Sequence, residues 1–66
     1  MIHNFLTPDD IGAWVLYAGR ERGKIKRYDN DQQIAWVVYK CNENWDMDHW
    51  KDYTACATNY SDLERW

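Results

Sequence analysis

The sequence predicts a small, mainly β domain: a five-stranded antiparallel barrel with one short helical turn near the N-terminus. The run Ile34–Tyr39 is apolar throughout and rich in β-branched and aromatic side chains. Because it is too short for a stable helix and polar segments bound it on both sides, we expect a buried central strand. Several other short segments have strand-forming composition, and closing them into a barrel protects their edges.

The chain length allows one domain, residues 1–66, with one core. A chain of this size buries only about 60% of the surface that its unfolded form exposes. Eleven aromatic residues, five of them Trp, compensate for this, because each ring buries roughly 150–250 Å². Not all of these rings fit into one small core, so we expect some under a loop or at the surface.

The N-terminal helical turn is predicted over residues 8–11. Thr7 is typical of a helix N-cap, Pro8 of the first helical position and Gly12 of a helix end. The remaining elements are predicted as strands over residues 13–17, 24–28, 34–39, 53–58 and 63–66, with turns over 18–23, 29–33 and 59–62 and one long connection over 41–52.

The faces of the predicted strands follow from the alternation of their side chains. Residues 24–28 alternate apolar and basic side chains, which is typical of a half-exposed strand. The central strand is apolar on both faces, so its pattern does not decide which face points inward. The core is predicted to contain Val15, Ile25, Val37 and Leu63.

Charge is divided unevenly along the chain. Residues 1–40 carry six basic and five acidic side chains, and residues 41–66 carry two and six. The overall charge of −3 argues against a protein that coats DNA or RNA, because that function depends on Lys and Arg. We find neither a transmembrane pattern nor a signal peptide, so the expected compartment is the cytoplasm.

The residue types of metal sites and active sites are present without the spacing that such sites require. Cys41, His49 and Cys56 lie too far apart in sequence for the close ligand pairs of a zinc site. Cys56 stands between two alanines in a predicted strand, where we expect a packed thiol rather than a reactive one. We therefore expect reduced cysteines, no metal, no cofactor and no enzymatic activity.

The motifs in the predicted strands resemble small SH3-like barrel proteins of bacteriophages and mobile elements. The resemblance covers residues 11–64 and rests on these segments: Gly12-x-Trp-Val-x-Tyr17, Glu21-Arg-Gly-Lys-Ile25, Trp36-Val-Val-Tyr39, Tyr53-Thr-Ala-x-Ala-Thr58 and Asp62-Leu-Glu64. It implies an SH3-like fold and a phage protein, and it leaves function open because such proteins are mostly uncharacterised.

The basic hairpin formed by the turn over residues 18–23 and the second predicted strand is one candidate binding site. Alternation places Lys24 and Lys26 on one face with Tyr28, where phosphates and a base could be bound. The alternative is an ordinary solvated face. The full candidate set for nucleic acid is Arg20, Arg22, Lys24, Lys26 and Arg27.

The long connection is the preferred candidate site, and its partner is expected to be a protein. Aromatic rings supply contact area in such interfaces, while carboxylates orient a basic partner surface. That partner is a host protein or a second copy of this chain. A cage for a methylated Lys or Arg needs several rings around one opening, which the spacing does not show. The alternative is a minor core that holds the loop in place. The candidate residues are Trp45, Asp46, Asp48, Trp50 and Tyr53.

Overall fold

The computed structural model describes residues 5–39 and 47–66, apart from the side chains of residues 47 and 48. It contains strands β1 (Trp14–Tyr17), β2 (Glu21–Asp29), β3 (Ile34–Tyr39), β4 (Cys56–Asn59) and β5 (Leu63–Arg65), together with 3₁₀ helices at Pro8–Asp10, Met47–Asp52 and Tyr60–Asp62. The mainly β fold class and the short N-terminal helical turn are confirmed.

The five strands form one antiparallel sheet in the order β4-β3-β2-β1-β5. The prediction of a fully closed barrel is not met, because β4 and β5 are the two edges of the sheet among the described residues. Both edge strands are short, four and three residues. Short edge strands limit unwanted pairing without closure, and this is one of the ways in which open sheets protect themselves.

Strand β2 is longer than predicted and begins inside the expected turn. Gly23 was assigned to that turn, but it is buried within β2 and pairs with Tyr39. A Cβ atom at Gly23 would lie 2.4 Å from Cγ1 of Val37. The glycine is therefore needed for close packing inside a strand, a role that sequence pattern does not distinguish from a turn.

The predicted core is confirmed. Val15, Ile25, Val37 and Leu63 are each at most 1% exposed. Ala35 and Tyr39 belong to the same cluster as Val37, so this set of alternate β3 residues points inward. Val38 is also buried, on the opposite face of the sheet.

Asn30, in the turn between β2 and β3, holds the N-terminal segment against the sheet. Its Oδ1 accepts the Leu6 backbone N–H at 2.9 Å, and its Nδ2 donates to the Leu6 carbonyl at 2.9 Å. The Tyr60 hydroxyl donates to the same Oδ1 at 2.7 Å. One side chain thus joins three separated parts of the chain, and Leu6 enters the core beside it.

The last third of the chain departs from the predicted boundaries. The strand expected from residue 53 begins at Cys56. Tyr53 lies in a turn instead, where its backbone N–H donates to the Trp50 carbonyl. Cys56 is exposed, so the expected packed thiol is wrong. Part of the predicted 41–52 loop is the 3₁₀ helix Met47–Asp52, while Cys41 lies outside the described residues.

Candidate functional site: a cation–aromatic face

The face of the sheet opposite the core carries most of the basic side chains of β2. Gly23 and Ile25 point inward, so Arg22 and Lys24 point outward. The register places Trp14 opposite Lys24, and Leu16 opposite Arg22. We call this surface the cation–aromatic face, and its residues are Trp14, Arg22, Lys24, Arg27, Trp36 and Trp66.

Each of the two central cations lies beside two indole rings. Arg22 Cζ is 5.5 Å from the ring centroid of Trp14 and 5.2 Å from that of Trp66. Lys24 Nζ is 5.2 Å from the Trp14 centroid and 5.3 Å from that of Trp50. Each such contact contributes about 0.5–1 kcal/mol at an exposed site. The contacts order long side chains that would otherwise be mobile.

Trp50 belongs to the edge of this face but is only 8% exposed. A Cβ atom at Gly12 would lie 3.4 Å from Cζ2 of the Trp50 ring, and Gly12 has a φ of +86° that favours glycine. The ring therefore packs over the turn that precedes β1 and anchors the 3₁₀ helix Met47–Asp52. This placement agrees with the interpretation of Trp50 as part of a minor core that holds its segment in place.

A β-bulge in β2 determines the positions of its last two basic residues, Lys26 and Arg27. The register with β3 shifts between Ile25 and Arg27, which is the local distortion that an extra residue produces. Arg27 then pairs with Trp36, and its Cζ lies 4.1 Å from the centroid of that ring. Lys26 donates from Nζ to the Tyr53 carbonyl at 3.0 Å.

The bulge also corrects one prediction about β2. Tyr28 was expected on the basic face with Lys24 and Lys26, but it pairs with Ala35 and packs against the core. An extra residue in a strand reverses the inward and outward positions beyond it. The aromatic ring that lies beside the bulge on the cation–aromatic face is instead that of Trp36.

The structure brings together most of the residues predicted for nucleic acid. Arg22, Lys24, Lys26 and Arg27 lie along the same strand, whereas Arg20 is exposed in the turn before it. Trp14, Trp36 and Trp66 were not among the binding residues predicted from the sequence. Strand alternation could have identified Trp14 and Trp36, because each is next to a buried residue, Val15 or Val37, and therefore points to the opposite face.

The residues predicted for protein binding are only partly described. Trp50 is buried, and Tyr53 is half-buried with its carbonyl held by Lys26. The backbone of Asp48 lies in the 3₁₀ helix Met47–Asp52. Trp45 and Asp46 lie outside the described residues.

Two carboxylates lie on the same side of the sheet as the cation–aromatic face. Glu64 is opposite Leu16, which is itself opposite Arg22, and Asp29 is opposite Ile34, two residues from Trp36. Asp10 accepts a hydrogen bond from Nη1 of Arg65, the last residue of β5, at 2.9 Å. This bond, together with the Thr7 N–H, lowers the pKa of the Asp10 carboxyl below its ordinary value. Among the described residues, the three cations Arg22, Lys24 and Arg27 outnumber the carboxylates of Glu64 and Asp29, so this side of the sheet has a net positive charge.

Within residues 5–39 and 47–66, no group of three or more His, Cys, Asp or Glu side chains is placed to hold a metal ion. No helix in that part of the chain has the length and apolar character to cross a membrane.

Comparison with known proteins adds no relative. No protein-family model, curated protein or solved structure matches this chain.

Proposed function

We propose that this chain is a non-catalytic protein-binding module that holds an acidic partner segment on the cation–aromatic face. The observation that carries the proposal is the placing of Arg22 and Lys24 between indole rings on one face of the sheet. Trp and Arg are the residues that most often dominate the energetics of protein interfaces.

The geometry of the face suits an acidic partner. Trp66 is 66% exposed and presents a large apolar surface at one end of the row. The indole contacts hold Arg22 in place before binding, so less side-chain freedom is lost when a carboxylate pairs with it. The guanidinium group then offers two parallel N–H donors to that carboxylate.

The partner is still a protein, as expected from the sequence, but the binding surface is the cation–aromatic face instead of the long connection over 41–52. The acidic segment with Trp45, Asp46 and Asp48 remains a candidate for a basic partner. The SH3-like assignment, the phage origin, the cytoplasmic location and a host protein as partner also remain proposals. The five short antiparallel strands and the 3₁₀ helices between them support the first of these.

Single-stranded nucleic acid is the second candidate for the same face. The observation in its favour is the row of basic side chains along β2 beside exposed and half-exposed rings, since phosphates pair with cations and bases stack on aromatic rings. The net charge of −3 opposes it. We therefore rank it below an acidic protein segment.

Fluorescence anisotropy with two labelled probes separates the candidates. One probe is a glutamate-rich peptide that contains a Tyr residue, and the other is oligothymidylate. We expect the peptide to bind at low salt. Arg22→Gln and Trp66→Ala should each lower the affinity for the peptide by about 5-fold or more, which is the effect of losing an interface residue that contributes over 1 kcal/mol.

Matched controls are available within the chain. Arg20→Gln removes an exposed arginine from the neighbouring turn, and Phe5→Ala removes a ring that is 66% exposed, as Trp66 is. Both controls should bind as the parent does. Tighter binding of oligothymidylate with a steeper salt dependence would favour the second candidate. Failure of both probes to bind at low salt would refute a binding role for this face.

A further inference from the structure

A cavity lies beside the edge strand β4, and residues of β1, β2, β3 and the 3₁₀ helix Tyr60–Asp62 also line it. Its volume is about 320 Å³, at the small end of the roughly 300–1,000 Å³ of typical ligand pockets. We call it the edge slot, and its lining includes Tyr17, Glu21, Tyr39, Thr58 and Asp62. Tyr17, Glu21 and Tyr39 lie on the core side of the sheet by register, and no residue of the cation–aromatic face lines the slot, so the two sites are separate.

Two aromatic rings form one wall of the edge slot in a fixed arrangement. The centroids of Tyr17 and Tyr39 are 5.8 Å apart, and the rings meet edge to face at 67°. The hydroxyl of Tyr39 is 2.7 Å from Oγ1 of the buried Thr58, which holds that ring in place. Tyr17 is 37% exposed and Tyr39 is 8% exposed. A ligand therefore meets one accessible ring with a second ring behind it.

Two carboxylates complete the slot. Glu21 and Asp62 are both exposed and both line it, and none of the described lining residues is a lysine or arginine. The Ala18 N–H donates to the Asp62 carbonyl at 3.0 Å, so the backbone fixes Asp62 beside the end of β1. Burial raises the pKa of Tyr39, and the Glu21 carboxylate adds to this. The slot thus combines aromatic rings with negative charge.

We propose that the edge slot binds the side chain of an arginine from a protein partner. A guanidinium group is planar and stacks on an aromatic ring, and its N–H groups pair with carboxylates in a fixed geometry. Lysine carries a compact, strongly hydrated charge that matches this arrangement less well. Glu21 and Asp62 can accept N–H hydrogen bonds from an unmodified guanidinium in addition to pairing with its charge, whereas a fully methylated ammonium group offers the charge alone.

An NMR titration of the isotope-labelled chain tests this directly. The probes are the N-acetyl amides of arginine, lysine and citrulline, and citrulline keeps the shape of arginine without its charge. We expect the arginine compound to shift the amide signals of Tyr17, Glu21, Tyr39, Thr58 and Asp62 in a saturable way. The lysine compound should bind more weakly, and the citrulline compound should cause no saturable shift.

Substitutions of the two carboxylates provide a second measurement. Glu21→Gln and Asp62→Asn should each weaken arginine binding by about 2- to 5-fold, as expected for losing one exposed ion pair. Asp31→Asn is the matched control, because it removes the same charge from an exposed turn that does not line the slot, and it should leave binding unchanged. Equal binding of lysine or citrulline, an equal effect of Asp31→Asn, or shifts outside the slot would overturn the proposal. Binding to the cation–aromatic face is measured separately with acidic probes, so the two proposals can fail independently.

Discussion

Replacing Asn30 with Ala should strongly destabilise the fold, although Asn30 lies in a turn and is only partly buried. The substitution removes three hydrogen bonds, two with the Leu6 backbone and one with the Tyr60 hydroxyl. At about 0.5–1.5 kcal/mol for each bond, the loss amounts to roughly 3 kcal/mol. The residue in this turn with a positive φ is Gln33, at 55°, so Ala at position 30 requires no unusual backbone conformation.

Thermal unfolding followed by circular dichroism measures this loss. For a domain of this size each kcal/mol corresponds to about 4–8 °C, so the midpoint should fall by roughly 12–24 °C. Tyr60→Phe removes only one of the three bonds and should lower the midpoint by about 4–8 °C. Asp31→Ala, at the next position of the same turn, is the control. If Asn30→Ala melted within about 3 °C of the parent, Asn30 would not hold the N-terminal segment and this reasoning would be refuted.

Three other predictions concern the core, the close packing of β2 and the loss of stability at acidic pH. Val37→Asp should unfold the chain, because an unpaired buried carboxylate costs several kcal/mol, and a cooperative melt near that of the parent would contradict the burial of Val37. Gly23→Ala should also destabilise strongly, since its Cβ would lie 2.4 Å from Val37 Cγ1 and 2.9 Å from the Val38 carbonyl oxygen, whereas Gly19→Ala meets no atom within 4 Å and isolates the strain of a positive φ. Asp10 has a lowered pKa in the folded state, so its contribution to stability is present above the pKa of the unfolded chain and is lost as the pH falls through the folded value. In the Asp10→Asn variant the unfolding midpoint should therefore decrease less with falling pH below about pH 4 than it does in the parent. An equally steep decrease in both proteins would contradict the Asp10–Arg65 pairing.

The sequence predicted the central strand and four core residues well, because burial on one face leaves a strong signal of period two. Two features disrupt that signal. The bulge between Ile25 and Arg27 reverses the faces beyond it, so Tyr28 was placed on the wrong side. Gly23 lacks a side chain and therefore carries no pattern at all. Both are local departures from regular strand geometry, which only the pairing with β3 reveals.

The candidate sites depend on contacts between residues that are distant in sequence. The basic residues of β2 were visible as a group, but the rings beside them come from other strands and from the C-terminal residue Trp66. The edge slot depends on β4, the ends of β1 and β3, the start of β2, and the 3₁₀ helix Tyr60–Asp62. No spacing in the sequence indicates that Tyr17 and Tyr39 share one opening. Sheet order, which the sequence alone did not determine, brings them together.

The pairing of β1 with β5 also affects how the chain folds. β1, β2 and β3 are neighbours in sequence, whereas β1 and β5 pair Val15 with Arg65 and Tyr17 with Leu63 across most of the chain. Contacts between distant residues require closure of a long loop and form more slowly than local hairpins. We therefore expect the β1–β2–β3 meander to form first and β5 to dock late. In native-state hydrogen exchange, the amides of β5 should open in a separate, less stable unit than those of β3.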